Sequence, residues 1–299
     1  MIRESHSGGA EGETHLVFSS RTPDGADSIF GELTGQDAHD HWALPRRVKE
    51  ILECRRALHL GSPPFECLVR KEKHLLLYLL LAAAPRSQRF LELGSSIFEV
   101  IDGLNLAGKI LPPLSPTIPR VPLDHVQYFG LEISDFFNET ARALHPQHTI
   151  RTAPRLSELD GEFDLLFDRA VSSFLFERAS ELADLLERCE VAYLNLFLSK
   201  SETFTAEWAG KQVTYFSLRE LVDELRERGR TLFHLFGDRA PGPRLTERED
   251  VIEGFFLMAS PEDAGRFMAL TDSAMEIRAW CESKSLGLRR AEELLEPVA

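Results

Sequence analysis

The sequence is poor in the features that mark several protein classes. It has only 4 cysteines in 299 residues, Cys54, Cys67, Cys189 and Cys281, and no two of them form a C-x-x-C pair. Neither a zinc site nor a disulfide framework is suggested, and buried thiols are the plain expectation. Long hydrophobic runs are missing too. The longest, Leu75 to Ala84, has ten residues between His74 and Pro85, about half of what a bilayer span needs. It reads as a buried helix, and no membrane partner is expected. Positive charge is scarce: 34 Lys and Arg stand against 48 Asp and Glu, a net charge of -14. Nucleic-acid phosphate would meet a repulsive field, so nucleic acid is not an expected partner. No Gly-x-Ser-x-Gly elbow follows a strand, no Gly-Lys-Ser or Gly-Lys-Thr follows the first strand of the main pattern, and no repeat of solenoid period occurs. The segment 1–28 lacks the apolar core of a secretory signal, which points to a cytoplasmic protein with a flexible N-terminus over 1–39.

What remains is an ordinary globular composition, 43% hydrophobic and 27% charged, in a chain long enough to bury a full core. Residues 40–86 read as helical, with Leu44, Val48, Ile51 and Leu52 at helical spacing and Gly61-Ser62-Pro63-Pro64 parting two helices. Arg89 to Gly94 is a short apolar strand closing on glycine, followed by a helix from Ile97 to about Ile110. Pro112, Pro113, Pro116, Pro119 and Pro122 then predict a long non-helical connection, since each proline lacks an amide donor.

From Gln127 onward strands and helices alternate. Strands are expected at Gln127 to Glu132, His148 to Arg151, Phe163 to Asp168 and Val191 to Phe197; helices at Asp135 to Leu144, Phe176 to Arg188 and Leu218 to Arg228. Thr231 to Phe236 and Val251 to Ala259 leave no room for a crossover helix between them and are expected as antiparallel neighbours. The tail 261–299 is helical. This pattern predicts an α/β fold, a doubly wound, mostly parallel seven-stranded sheet with an antiparallel last strand and helices at both ends; ligands in such sheets bind at the carboxyl ends of the strands.

The chemistry concentrates at two strand ends. In Glu92-Leu93-Gly94-Ser95-Ser96 an acidic residue stands two before a glycine where a strand turns into a helix, and small residues let the backbone approach a ligand. Glu132 closes the next strand, where a carboxylate can accept from both hydroxyls of a ribose. With Phe163 to Val171 as the fourth strand and the antiparallel closing pair, residues 89–259 resemble a class I S-adenosylmethionine-dependent methyltransferase.

The resemblance implies S-adenosylmethionine as cofactor and a small-molecule acceptor methylated on oxygen or nitrogen. It implies that Glu92 holds the methionine amino group, directly or through water, and that Gly94, Ser95 and Ser96 pass close to the methionine moiety. Glu132 would bind the ribose, Ile133 would pack on adenine, and Thr152 and Ala153 would lie at the adenine edge. Asp168 and Arg169 would face the transfer centre, with Asp168 or His125 as the candidate base, and no metal is implied. Departures are Ser96 and Phe98 where the family carries glycines, and Thr152 where it often carries an acid. They motivate an alternative, a methyltransferase-like fold serving as a binding or assembly subunit. His41, Trp42, Arg46, Arg47 and Tyr78 are candidate lid residues over substrate. Ser172, Ser173, Asn195, Ser199 and Lys200 stand where the fold puts substrate contacts. The Leu75 run and the tail helices could pack within one chain or between two, which leaves a homodimer open.

Overall fold

The computed structural model describes residues 2–5, 15–18, 31–33, 44–69, 71–84, 89–208, 211–237 and 248–296. His41, Trp42 and most of the expected flexible N-terminus lie outside these residues. Strands β1 (Ile2–Ser5), β2 (His15–Phe18) and β3 (Gly31–Leu33) form a small antiparallel sheet of their own.

Three helices precede the main sheet: α1 (Leu44–Leu58), the single turn α2 (Glu66–Val69) and α3 (Glu72–Ala83). α1 places Arg55 and Arg56 in its last turn, where cations complement the helix dipole. The Leu75 run forms α3, and its side chains are buried all round against the chain's own core. The order is then β4 (Arg89–Leu93), α4 (Glu99–Leu114), β5 (Gln127–Leu131), α5 (Asp135–Leu144), β6 (Thr149–Ala153), β7 (Phe163–Arg169), the turn α6 (Ser172–Leu175), α7 (Ala179–Glu187) and β8 (Cys189–Ser199). A hairpin, β9 (Phe204–Trp208) and β10 (Lys211–Ser217), leads into α8 (Leu218–Glu227), β11 (Thr231–Phe236) and β12 (Val251–Ala259). The tail is α9 (Pro261–Thr271), α10 (Met275–Ser283) and β13 (Gly287–Arg290).

The strand order is β6-β5-β4-β7-β8-β12-β11-β13, with β10 joined to the end of β8. The five strands from β6 to β8 are parallel, and β12 runs antiparallel between β8 and β11. The seven expected strands are thus present in a doubly wound sheet. To them the structure adds β13, antiparallel on the edge, and the β9–β10 hairpin.

Alternation along the strands separates two cores. Phe90, Tyr128, Leu165, Phe167 and Tyr193 face α3, α4 and the tail helices, where Phe267, Ile277 and Trp280 join the same core. Leu91, Phe129, Leu166, Leu194 and Leu196 face α7 and α8. The tail therefore packs on its own chain. Among the described residues no helix is long and apolar enough to cross a membrane.

Two expectations are corrected. The tail 261–299 is not helical throughout, because Gly287–Arg290 pair with β11 at the open sheet edge as β13. Pro112 and Pro113 lie inside the last turn of α4 rather than in the connection. A proline ring holds a helical φ, and buried Ile110 and Leu111 keep the turn against the core, so the helix continues although two amide donors are missing. The connection after it is fastened by buried Tyr78, whose hydroxyl donates to Pro119 O at 3.2 Å and accepts from Val121 N at 3.1 Å. Tyr78 therefore holds this connection and is not a lid residue here.

The seam between α3 and α4 is set by Gly103. A Cβ there would lie 2.1 Å from Cγ and Nδ1 of His74, whose ring is fully buried and has nowhere to move. Gly103→Ala is expected to lower unfolding stability by about 3 kcal/mol through overpacking, read as a shifted urea midpoint at unchanged slope.

Candidate functional site

Strand register brings the expected residues to one sheet edge. Leu93 pairs with Leu131 on one side and Asp168 on the other, Leu131 pairs with Ala153, and Asp168 pairs with Leu194. Gly94 and Glu132 therefore follow, and Arg169 closes, adjacent parallel strands at their carboxyl ends. The chain order reverses between β4 and β7, the place where open α/β sheets bind ligands.

The turn after β4 is strained. Gly94 has φ 68°, and Ser96 and Phe98 have φ 49° and 52°, left-handed values that a side chain disfavours by about 1–2 kcal/mol each. Ala170, just past β7, has φ 67°. Three of the four non-glycine residues with positive φ among those described, Ser96, Phe98 and Ala170 but not Ser285, thus flank the crevice between β4 and β7. Strain concentrated in this way is characteristic of ligand sites. The left-handed Phe98 sends its ring inward: it is fully buried and meets Tyr128 edge-on at 6.3 Å, packing in the core. Gly130 makes the room, because a Cβ there would stand 2.6 Å from Phe98 Cζ and 2.2 Å from Ser95 Oγ. Sequence reading passed over Gly130, although a glycine inside a strand signals close approach.

Glu132 is tied to that turn. One of its oxygens accepts from Ser96 N at 2.8 Å and the other from Ser134 N at 3.0 Å. Each carboxylate oxygen keeps a further lone pair. Ile133 beside it is 79% exposed, a large apolar side chain at a strand end. Thr152 and Ala153 end the neighbouring β6, where Ala153 O accepts from Glu132 N at 3.0 Å and Thr152 Oγ1 accepts from Arg142 at 3.1 Å.

At the other side of the turn stands a cluster of six charges. Glu92 and Glu99 are completely buried, and Arg169 bridges them, pairing with Glu92 at 2.5 Å and hydrogen-bonding Glu99. Glu99 also meets Lys73 of α3 at 3.3 Å and Arg47 of α1 at 3.7 Å, while Lys73 reaches Glu50 at 3.1 Å. Three cations hold Glu99 well below the ordinary carboxylate range. Burial pushes Glu92 up, because it shares one guanidinium and accepts no aligned hydrogen bond. Arg169 thus covers the acid expected to meet the methionine amino group. Glu99 and Lys73 escaped sequence reading; the only signal for Glu99 was an acidic residue in the first turn of the helix that follows the glycine.

Asp168 is fully buried and caps the turn after β7: Val171 N and Ser172 N donate to Oδ1 at 2.8 and 3.2 Å, and Ser172 Oγ donates to Oδ2 at 2.5 Å. Burial raises its carboxyl to about 6 against the pull of these donors. A folded value above the unfolded one means that stability is lost as pH rises from about 4 to about 6. Asp168→Asn, which keeps an acceptor oxygen, should gain stability relative to the parent across that window and by a constant amount above it, as urea unfolding at several pH values would show. Ser173 Oγ, like Ser95 Oγ, is buried without a hydrogen-bond partner.

His125 is not brought to this edge. It precedes β5, at the amino end of the strand that Glu132 closes, and its side chain is 73% exposed beside Asp124. Ser199 and Lys200 bind Asp250. Asn195 lies opposite Arg169 in the register. Arg47 does reach the turn: its Nη1 donates to Gly94 O at 3.4 Å.

The donor set fits a nucleoside cofactor carrying an amino-acid end. Orphaned Ser95 Oγ, the turn at Gly94 and the spare lone pairs of Glu132 supply the polar contacts, and Ile133 an apolar face.

No protein-family model and no curated protein matches the chain. Solved structures resemble it. An O-methyltransferase from the trans-AT PKS multienzyme of Brevibacillus brevis, in complex with S-adenosyl-L-homocysteine, is 13% identical over 72% of this chain and 83% of that one, with a TM-score of 0.44. DesVI of Streptomyces venezuelae is 13% identical over 77% and 99%, with a TM-score of 0.42. CalS10, an amino pentose methyltransferase from Micromonospora echinaspora with S-adenosylmethionine bound, is 12% identical over 62% and 89%, with a TM-score of 0.40. Likeness at this level concerns the fold alone. In its strand order, with the antiparallel β12 set between β8 and β11, the chain has the fold of the class I S-adenosylmethionine-dependent methyltransferases.

Proposed function

We propose that the protein transfers the methyl group of S-adenosylmethionine to an oxygen or nitrogen of a small-molecule acceptor. The observation that carries this reading is the strained turn Gly94–Phe98 roped to Glu132 through Ser96 N, at the point where the strand order reverses. Bound there, the cofactor supplies a methyl group activated by a sulfonium. The chain supplies position: Glu132 takes the ribose hydroxyls, Ile133 covers adenine, Thr152 and Ala153 border it, and Gly94 to Ser96 line the methionine end.

In-line displacement needs alignment and a dry crevice more than it needs a base. Asp168 keeps the β7 end in shape, Arg169 sets the charge beside it, and Asn195, half-buried on the next strand opposite Arg169, is a neutral polar group for an acceptor. His125 takes no part. The test is release of S-adenosylhomocysteine, followed by mass spectrometry, from S-adenosylmethionine and a panel of small alcohols, phenols and amines. Turnover above the acceptor-free background with at least one compound is expected. Bound cofactor with no turnover on any of them would favour the binding-subunit alternative.

A further inference from the structure

The charge at the methionine end differs from the acidic contact that the sequence implies. Glu92 is sealed beneath Arg169 and is 0% exposed, whereas Arg47, on the other side of Glu99, keeps 22% of its side chain exposed; Lys73 and Glu50 of the same cluster are 28% and 17% exposed. Both guanidinia flank Glu99, which sets them side by side at the start of α4. Arg169 is committed to its two carboxylates and Lys73 to Glu50 and Glu99. Arg47 is not committed in this way. Its contacts with Gly94 O and Glu99 both run through Nη1, which leaves Nη2 and Nε without a partner among the described residues. A guanidinium edge with two free donors matches a carboxylate in bidentate geometry.

From this geometry, and resting on the cofactor reading above, we infer that Arg47 of α1 is a cofactor-binding residue that grips the carboxylate of the methionine moiety across the Gly94 turn. Two further observations agree with it. The cluster holds three carboxylates and three cations, and Glu92, pushed toward its neutral form, leaves the balance positive at the place where an anion would arrive. Arg47 also sits on a helix anchored independently of the site: Arg55 on the same helix binds Asp102 at 2.8 Å and Leu144 O at 2.6 Å, and Glu53 pairs with Lys71 at 3.0 Å. Loss of the Arg47 side chain therefore leaves α1 docked.

The experiment compares two probes by calorimetry on the full chain: S-adenosylhomocysteine, which carries the amino-acid end, and 5′-methylthioadenosine, which lacks it. The parent should bind S-adenosylhomocysteine the more tightly. In Arg47→Ala that affinity should fall by about 10- to 100-fold, the size of a lost charge-assisted pair, while 5′-methylthioadenosine binds as before. Arg47→Lys, which keeps the charge without the fork, should fall between. An equal loss for both probes would mean that Arg47 only holds the helix, and no loss for either would mean that it touches nothing; each overturns the inference. Equal affinity of the parent for the two probes would overturn it as well, with the cofactor reading left standing. Binding of neither probe by the parent would overturn both.

Discussion

Replacing Glu132 by alanine should weaken binding of S-adenosylhomocysteine by at least about 100-fold. Two losses combine. The carboxylate is the one charged acceptor at the end of β5 with lone pairs to spare for two ribose hydroxyls, and it is also the clamp on the turn, through Ser96 N at 2.8 Å and Ser134 N at 3.0 Å. Without it, a left-handed Ser96 has nothing to hold it in a conformation that a side chain disfavours. Stability should fall as well, by about 2 kcal/mol, since two backbone amides lose their acceptor. Glu132→Gln keeps one acceptor oxygen and turns a donor toward the other amide, so it should lie between parent and alanine in affinity. Calorimetry supplies the first number and urea unfolding the second. An alanine variant whose affinity stays within about threefold of the parent would remove Glu132 from the ribose site.

The second large effect belongs to Glu99. It is completely buried, and three cations from three separate elements converge on it: Arg47 from α1, Lys73 from α3 and Arg169 from the end of β7. Removing one partner of a buried ion pair costs about 3–5 kcal/mol, because the remaining charge stays out of water with nothing to balance it. Glu99→Ala should lose stability on that scale. The loss should persist at high salt, since buried pairs are little screened. Glu99→Gln, able to accept one hydrogen bond, should lose less. The variants should also loosen α3, which reaches Glu99 through Lys73, seen as faster amide exchange in that helix, while α1 stays held through Arg55 and Glu53. A loss below about 1 kcal/mol for the alanine variant would mean that these cations are satisfied by water and that the cluster does not hold α3 in place.

The frame of the fold is legible in the sequence because each element carries a local signature. β8 reads as a continuous apolar run since it is covered on both faces, and β11 and β12 are separated by too little chain for a crossover. Glu132 and the glycine turn were legible for the same reason: each is fixed by its place at a strand end. What stayed hidden depends on pairs far apart in the chain. Nothing local says that Gly130 is vacant so that Phe98, thirty-two residues earlier, can turn beneath the sheet. Nothing local says that Arg169 will lie over Glu92, seventy-seven residues away, and reverse the charge offered to a ligand. The prolines misled in the opposite direction. Pro112 and Pro113 forbid a helix interior, but the end of α4 tolerates them, and only the burial of Ile110 and Leu111 explains why the helix runs that far.

The direct test of the central claim is a calorimetric titration of the purified protein with S-adenosylmethionine and, separately, S-adenosylhomocysteine. The turn, Glu132 and the exposed Ile133 together predict one site per chain and micromolar affinity for both ligands. An absence of binding heat up to millimolar ligand would contradict the account, and would leave a methyltransferase fold whose strained turn serves some purpose other than holding the cofactor.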